Sequence, residues 1–190
     1  MPRLTKDQTR SKLRNAVVAE AIERGFSATS VAGVVKRAKV SAGTVYVHFA
    51  NKDDMLQKVF LEIKTEFHAT MMGAKAEANS ADMIRRMWFD MFAFVGKQPS
   101  DFLYLEYGNS ARILTPAQEE QTLKMTAEIS EMLQQGIKDG TLADIDVETL
   151  SLLLVAPAMQ LARRAVLSNQ PISTATTELV FQRIWRAIAA

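Results

Sequence analysis

The sequence predicts an all-α fold: an N-terminal three-helix head containing a helix-turn-helix, then a C-terminal helical bundle, about nine helices in total. Three observations predict it. Apolar residues recur three and four apart along most of the chain, while strict alternation is scarce. Helix punctuation is sparse, falling at Gly25, Ser41, Asn51, Ser80, Pro99, Pro116, Gly140 and Pro171. The stretch "VSAGTVYVHF", residues 40–49, packs a cap, a glycine and several polar tips into one short helix.

The first helix is expected over residues 5–24, with Leu13, Ala16, Val17 and Ala21 as its inward stripe and Gly25 as a left-handed stop. Two short helices follow, 30–38 and 41–49; Thr29 or Ser30 caps the first and Ser41 the second. The fourth helix starts after Asn51 and runs to about residue 72, with Asp53 and Asp54 suited to the positive end of its dipole. Five more are expected at 80–97, 100–113, 116–138, 147–168 and 173–188. Thr115 before Pro116 is a cap followed by a first-turn proline, Asp146 caps the eighth helix, and Pro157 is expected to kink it. The expected division is a head over residues 1–50 and a larger helical domain over 51–190.

With 190 residues, 48% of them apolar, the chain is long enough for a true core. There is no cysteine, which excludes disulfides and thiolate metal sites and suits a reducing, cytoplasmic setting. The start "MPRLTKDQTRSK" is polar and reads as no signal peptide, and "LSLLLVAPAMQLA" is too short an apolar run to span a membrane. The net charge is +2 but unevenly spread. Residues 1–60 carry 11 Lys/Arg against 5 Asp/Glu, a balance of +6; residues 61–190 carry 12 against 16, a balance of −4. A basic first third points to a polyanionic partner.

Two short helices behind a longer support helix describe a helix-turn-helix, whose second helix enters the DNA major groove. That accounts for a glycine placed where it costs about 1 kcal/mol of helix stability. Gly43 holds no side chain between backbone and duplex. Ser41 caps, Thr44 offers a hydroxyl and a methyl, and Tyr46 and His48 reach for phosphate oxygens, while Val45 and Phe49 anchor the helix inward. The start of this same helix also offers free N–H groups to a phosphate.

"TSVAGVVKRAKVSAGTVYVHFANKDDML" resembles the DNA-binding signature of the TetR family of bacterial transcriptional regulators. The matching positions are Thr29, Val40, Ser41, Gly43, Thr44, Tyr46, His48, Phe49, Lys52 and Leu56, with "ERGF" at residues 23–26 as the end of the first helix. The resemblance implies DNA contacts from Thr29, Ser30, Ser41, Ala42, Gly43, Thr44, Tyr46, Val47, His48 and Lys52. Arg3, Lys6 and Arg10 form a candidate basic arm. Three departures stand out. Lys39 replaces the usual turn glycine, Glu20 falls where a larger apolar residue is common, and Ala42 and Val47 replace larger polar side chains. The last substitution favours methyl contacts and DNA shape over hydrogen-bonded readout.

The resemblance further implies an effector cavity among helices four to seven. Its expected walls are Phe67, Met71, Met87, Trp88, Met91, Tyr104 and Tyr107, with Glu106 and Asn109 as polar anchors for a largely apolar small molecule. The last two helices are apolar on more than one face, which calls for a second cover. A homodimer through a four-helix interface is expected, with Leu154, Ala158, Leu161, Ala165, Phe181, Ile184, Trp185 and Ile188 as contacts. The resulting expectation is a ligand-responsive homodimeric repressor on a near-palindromic operator. Its alternatives are an architectural DNA binder or an activator without effector. An enzyme is disfavoured by the lack of a phosphate loop, nucleophile motif or metal spacing, and no cofactor is expected.

Overall fold

The computed structural model describes residues 5–190. Among them run nine α-helices: α1 (Lys6–Arg24), α2 (Val31–Ala38), α3 (Ala42–His48), α4 (Lys52–Met72), α5 (Ser80–Lys97), α6 (Pro99–Ala111), α7 (Pro116–Lys138), α8 (Val147–Ser168) and α9 (Thr174–Ile188). A 3-10 turn, Gly73–Ala76, links α4 to α5. The described residues hold no strand, only an isolated bridge between Leu142 and Ala189.

The helix starts follow the caps legible in the sequence. Thr5 and Gln8 close a reciprocal capping box at α1, and Ser30 accepts the Gly33 N–H at 3.0 Å. Ser41 accepts from Thr44 at 3.1 Å, Asn51 from Asp54 at 2.9 Å, and Asp146 from Thr149 at 2.8 Å. The stop at Gly25 differs from expectation. Its φ of 82° comes with ψ of 155°, so the chain turns outward through a region that glycine enters freely rather than through the left-handed helical well.

The chain forms two compact units, which do not follow a cut at residue 50. One holds residues up to Lys64 plus Ser100–Gln118; the other holds Thr65–Pro99 and Glu119–Ala190. α4 is one continuous helix that contributes its first part to one unit and its last part to the other.

In the first unit, Leu13, Val17, Val34, Val45, Phe49, Met55, Phe60, Phe102 and Tyr104 are buried together. The reason α6 joins the head is chemical. Arg14 on α1 pairs with Asp101 at 2.7 Å, and the Tyr104 hydroxyl donates to the Leu56 carbonyl at 3.0 Å. The Tyr104 ring lies 4.8 Å from that of Phe26, and burial pushes its phenol well above the usual range. Gly108 makes this approach possible: a Cβ there would sit 2.7 Å from Phe60 Cδ2.

In the second unit, α5 is central and packs on α8 and α9. Met83, Ile84, Met87, Trp88, Met91 and Phe94 fill its inner face against Leu150, Leu154, Ala158, Phe181 and Ile188. The Trp88 indole donates to the Thr177 carbonyl at 3.1 Å, so this ring is both apolar filler and a satisfied donor. Pro157 sits inside α8, whose helix continues through it. By length and composition α8 is apolar enough to cross a membrane, although its uncharged apolar run, residues 150–162, is shorter than a span needs. Only 22% of its most apolar window is buried in the chain.

Replacing Gly108 with alanine is expected to destabilise the protein by about 1–3 kcal/mol, because the methyl meets a fully buried ring. A denaturant titration reads this directly; an unchanged midpoint would remove the close approach of α6 from the account.

Candidate nucleic-acid interface

α3 owes its existence to what surrounds it. Seven residues are too few to hold a helix alone. Ser41 fixes its start, and Val45 and Phe49, 0% and 3% exposed, fix its inner face. Most of the rest faces outward. Ser41, Ala42 and Gly43 are exposed, Tyr46 is 57% exposed and Val47 79%. Thr44 and His48 are half-buried. The Thr44 hydroxyl lies 2.9 Å from that of Ser41.

The structure therefore brings Ser41, Ala42, Gly43, Thr44, Tyr46, Val47 and His48 onto one short helix and its cap. Ser30 lies exposed at the start of α2, where its hydroxyl is already committed to Gly33. Two expected contacts read differently. Thr29 is 2% exposed and its hydroxyl donates to the Gly25 carbonyl at 2.9 Å, so it locks the α1–α2 turn and is not on the surface. The Lys52 ammonium donates to the Ser27 carbonyl at 2.6 Å, tying the same loop to α4 and leaving two of its protons for other partners.

The head's cations divide sharply. Arg10 pairs with Glu62 at 2.7 Å, which draws it away from a free arm; Arg3 lies outside the described residues. Lys58 pairs with Asp54 at 2.9 Å. Lys36 and Lys39, by contrast, are exposed and make no ion pair among the described residues. They flank the turn into α3. The sequence alone does not mark them as available, because a lysine's availability depends on which neighbours neutralise it.

Lys39 takes the left-handed conformation itself, with φ 51° and ψ 48°, and its N–H returns to the Val35 carbonyl. The turn keeps the shape a glycine would give it. A non-glycine residue there costs about 1 kcal/mol.

Glu20 resolves another departure. It is 3% exposed, yet its carboxylate accepts from Arg37 Nε at 2.6 Å and faces Arg24 Nε at 3.2 Å. Arg37 also bonds Glu23, and that hydrogen bond holds the Glu23 carboxyl below the usual carboxylate range. Gly33 supplies the room: a Cβ there would stand 2.0 Å from Glu20 Oε1. An ionic clamp joins α1 to α2 where apolar packing would otherwise do so. The Glu23 part of its stabilisation is complete above the ordinary carboxylate pKa and fades as acid titrates the lowered folded value.

The expected sensor residues divide between the two units. Phe67, Met71, Met87, Trp88 and Met91 belong to the second unit, whereas Tyr104, Glu106, Tyr107 and Asn109 belong to the first. Tyr104 and Glu106 are buried there, Tyr107 is 36% exposed and Asn109 is exposed. The second unit contains a separate, partly open cavity of about 430 Å³ between α5, α8 and the start of α9. Phe89, Phe92, Val95, Ala165, Pro171 and Ile172 contribute its apolar wall, Asn169, Gln170 and Thr174 its polar one, and no charged side chain lines it. It shares none of the expected wall residues. Those residues are soft or aromatic, properties that serve a core equally well.

The dimer candidates also divide. Leu154, Ala158, Phe181 and Ile188 are buried within the chain's own second unit. Leu154 and Ala158 lie four apart on α8 and Phe181 and Ile188 seven apart on α9, the two helices that pack on α5. Leu161, Ala165, Ile184 and Trp185 are half-buried. On α8 and α9 the large apolar side chains left in water are Leu152 at 66%, Leu153 at 38%, Val155 at 41%, Leu167 at 60% and Leu179 at 54%.

Comparison with known proteins defines first the class, a helix-turn-helix transcription regulator. Residues 13–59 match the model for bacterial regulatory proteins of the tetR family, and residues 81–189 match a tetracyclin repressor-like C-terminal domain. The chain belongs to the TetR family. It is 26% identical over 174 residues to an uncharacterised HTH-type transcriptional regulator of Haemophilus influenzae, covering 86% of this chain and 87% of that one. Among solved structures, a TetR-family regulator from Marinobacter aquaeolei VT8 superposes with a TM-score of 0.86 at 24% identity, over 96% of both chains. One from Haemophilus influenzae superposes with a TM-score of 0.74 at 23% identity, over 99% of this chain and 100% of that one.

Arg37→Met is expected to lower the melting temperature, since it strands a buried carboxylate. Glu20→Met with Arg37→Met is expected to recover the loss. A double change as destabilising as the single one would show that the clamp holds nothing together. Lys39→Gly is expected to stabilise by up to about 1 kcal/mol in the same assay.

Proposed function

We propose that this regulator binds a near-palindromic operator as a homodimer and releases it when a small neutral, largely apolar effector binds. The observation that carries the DNA reading is the outward face of α3, held rigidly by two buried anchors while its remaining side chains stand in solvent. Placed in a major groove, that face meets base edges; Ser41, Tyr46, His48, Lys36 and Lys39 serve the flanking phosphates.

The dimer reading rests on Leu152, Val155, Leu167 and Leu179, exposed apolar side chains on the last two helices. A second copy covers them and sets two α3 helices about one DNA turn, ~34–36 Å, apart.

The effector reading rests on the uncharged cavity in the second unit. α5 lines it through Phe92 and Val95, and its Phe94 meets Phe67 of α4 ring to ring at 5.1 Å. A ligand that displaces α5 therefore acts on α4, the helix whose first part is built into the head. To empty the operator it must favour the released form by several kcal/mol. In this reading the protein is cytoplasmic, acts without a cofactor or membrane, and is a regulator rather than an enzyme. An activator, or an architectural DNA binder without effector, would leave the cavity functionally silent.

Selection from a random duplex library should enrich a near-palindrome, with affinity falling steeply in salt. Lys36→Gln and Lys39→Gln should weaken binding to all duplexes and lower the salt slope by about 1 each. No enriched duplex at low salt would end the DNA reading. Ala93→Trp, which fills the cavity from α5, should leave operator binding intact and abolish release by any molecule that stabilises the wild-type chain in a thermal-shift screen. Undiminished release would place the effector elsewhere.

A further inference from the structure

Val47 is the most exposed of the large apolar side chains among the described residues, at 79%. A helical side chain leans toward the N-terminus and covers the turn before its own Cα. Val47 stands four residues after Gly43, about one helical turn along the same exposed face of α3. Gly43 adds nothing to that surface: even a Cβ built there would meet only Ser41 Oγ, at 3.7 Å. The two positions form a low apolar column, two methyl groups beside bare backbone.

Of the neighbouring polar groups, Ser41, Tyr46 and His48 serve the flanking phosphates in the reading above. Ser41 accepts the Thr44 N–H, and the two hydroxyls bond each other. His48 is half-buried, with its ring 6.3 Å from that of Phe49. Ala42 has no polar side-chain group. The column therefore has no donor or acceptor to offer a base edge.

In the major groove every base pair presents donors and acceptors, but only thymine presents an apolar group, its 5-methyl. A methyl-bearing column pressed on a G·C pair would strip water from base atoms and leave them unpaired. Against thymine it gains contact. Resting on the DNA-binding reading above, we propose that Val47 is a specificity-determining residue: it selects one thymine in each half of the operator by its methyl group, and Gly43 lets the helix come close enough for it to do so.

The test replaces, one at a time, each thymine of the selected duplex with deoxyuridine, which removes the methyl and nothing else. The wild-type chain is expected to lose about fourfold in affinity at one position per half-site. Val47→Ala, whose melting temperature should be unchanged because the side chain is solvent-exposed, is expected to bind the thymine and uracil duplexes equally at that position. Indifference of the wild type to every such replacement overturns the proposal, as does unchanged sensitivity in Val47→Ala. Both results are distinct from failure of the DNA reading, which appears earlier as selection without any enriched duplex and removes the proposal with it.

Discussion

A seven-residue helix does not stand by itself, and that constraint organises the head. Val45 and Phe49 are its only fully buried side chains, so the rest of the head is arranged to receive them. The Ser41 cap sets where the helix begins, and the Lys39 turn sets the direction from which it arrives. The Glu20–Arg37 clamp sets how α2 lies on α1, and thereby where that turn starts. Because two anchors bear the whole inward face, the outward one is free of structural duty. Its composition is glycine and small or apolar residues beside Tyr46, flanked by lysines.

The clamp also shows how a polar substitution is accommodated in a core. Glu20 is buried, but the cost is limited by two guanidinium partners and by the space that Gly33 leaves. Charge, partner and cavity come as a set. An account of any one of the three residues alone would misjudge it.

Much of the fold was legible in the sequence. Caps at Ser30, Ser41, Asn51 and Asp146 depend only on local hydrogen bonds, and the helix starts fall beside them. The outward face of α3 was legible because i, i+4 spacing of Val45 and Phe49 fixes which side turns in. What escaped depends on tertiary neighbours. Thr29 belongs to a polar motif, yet its hydroxyl closes a turn internally. Leu154 and Leu152 are both apolar, and only the position of α5 decides that the first is covered and the second is not. Tyr104 reads as a pocket aromatic, but it ties α6 to α4 within the head. Local chemistry is written locally; the assignment of one face to core and another to partner or ligand is not.

The central claim is that the solvent face of α3 is the DNA-reading surface. Backbone amide shifts of the full-length chain, followed while the selected duplex is titrated in, test it most directly. The account predicts the largest changes at Gly43 to Val47, with smaller ones at Lys36 and Lys39. Unmoved α3 amides in a chain that binds the duplex through another surface would contradict it.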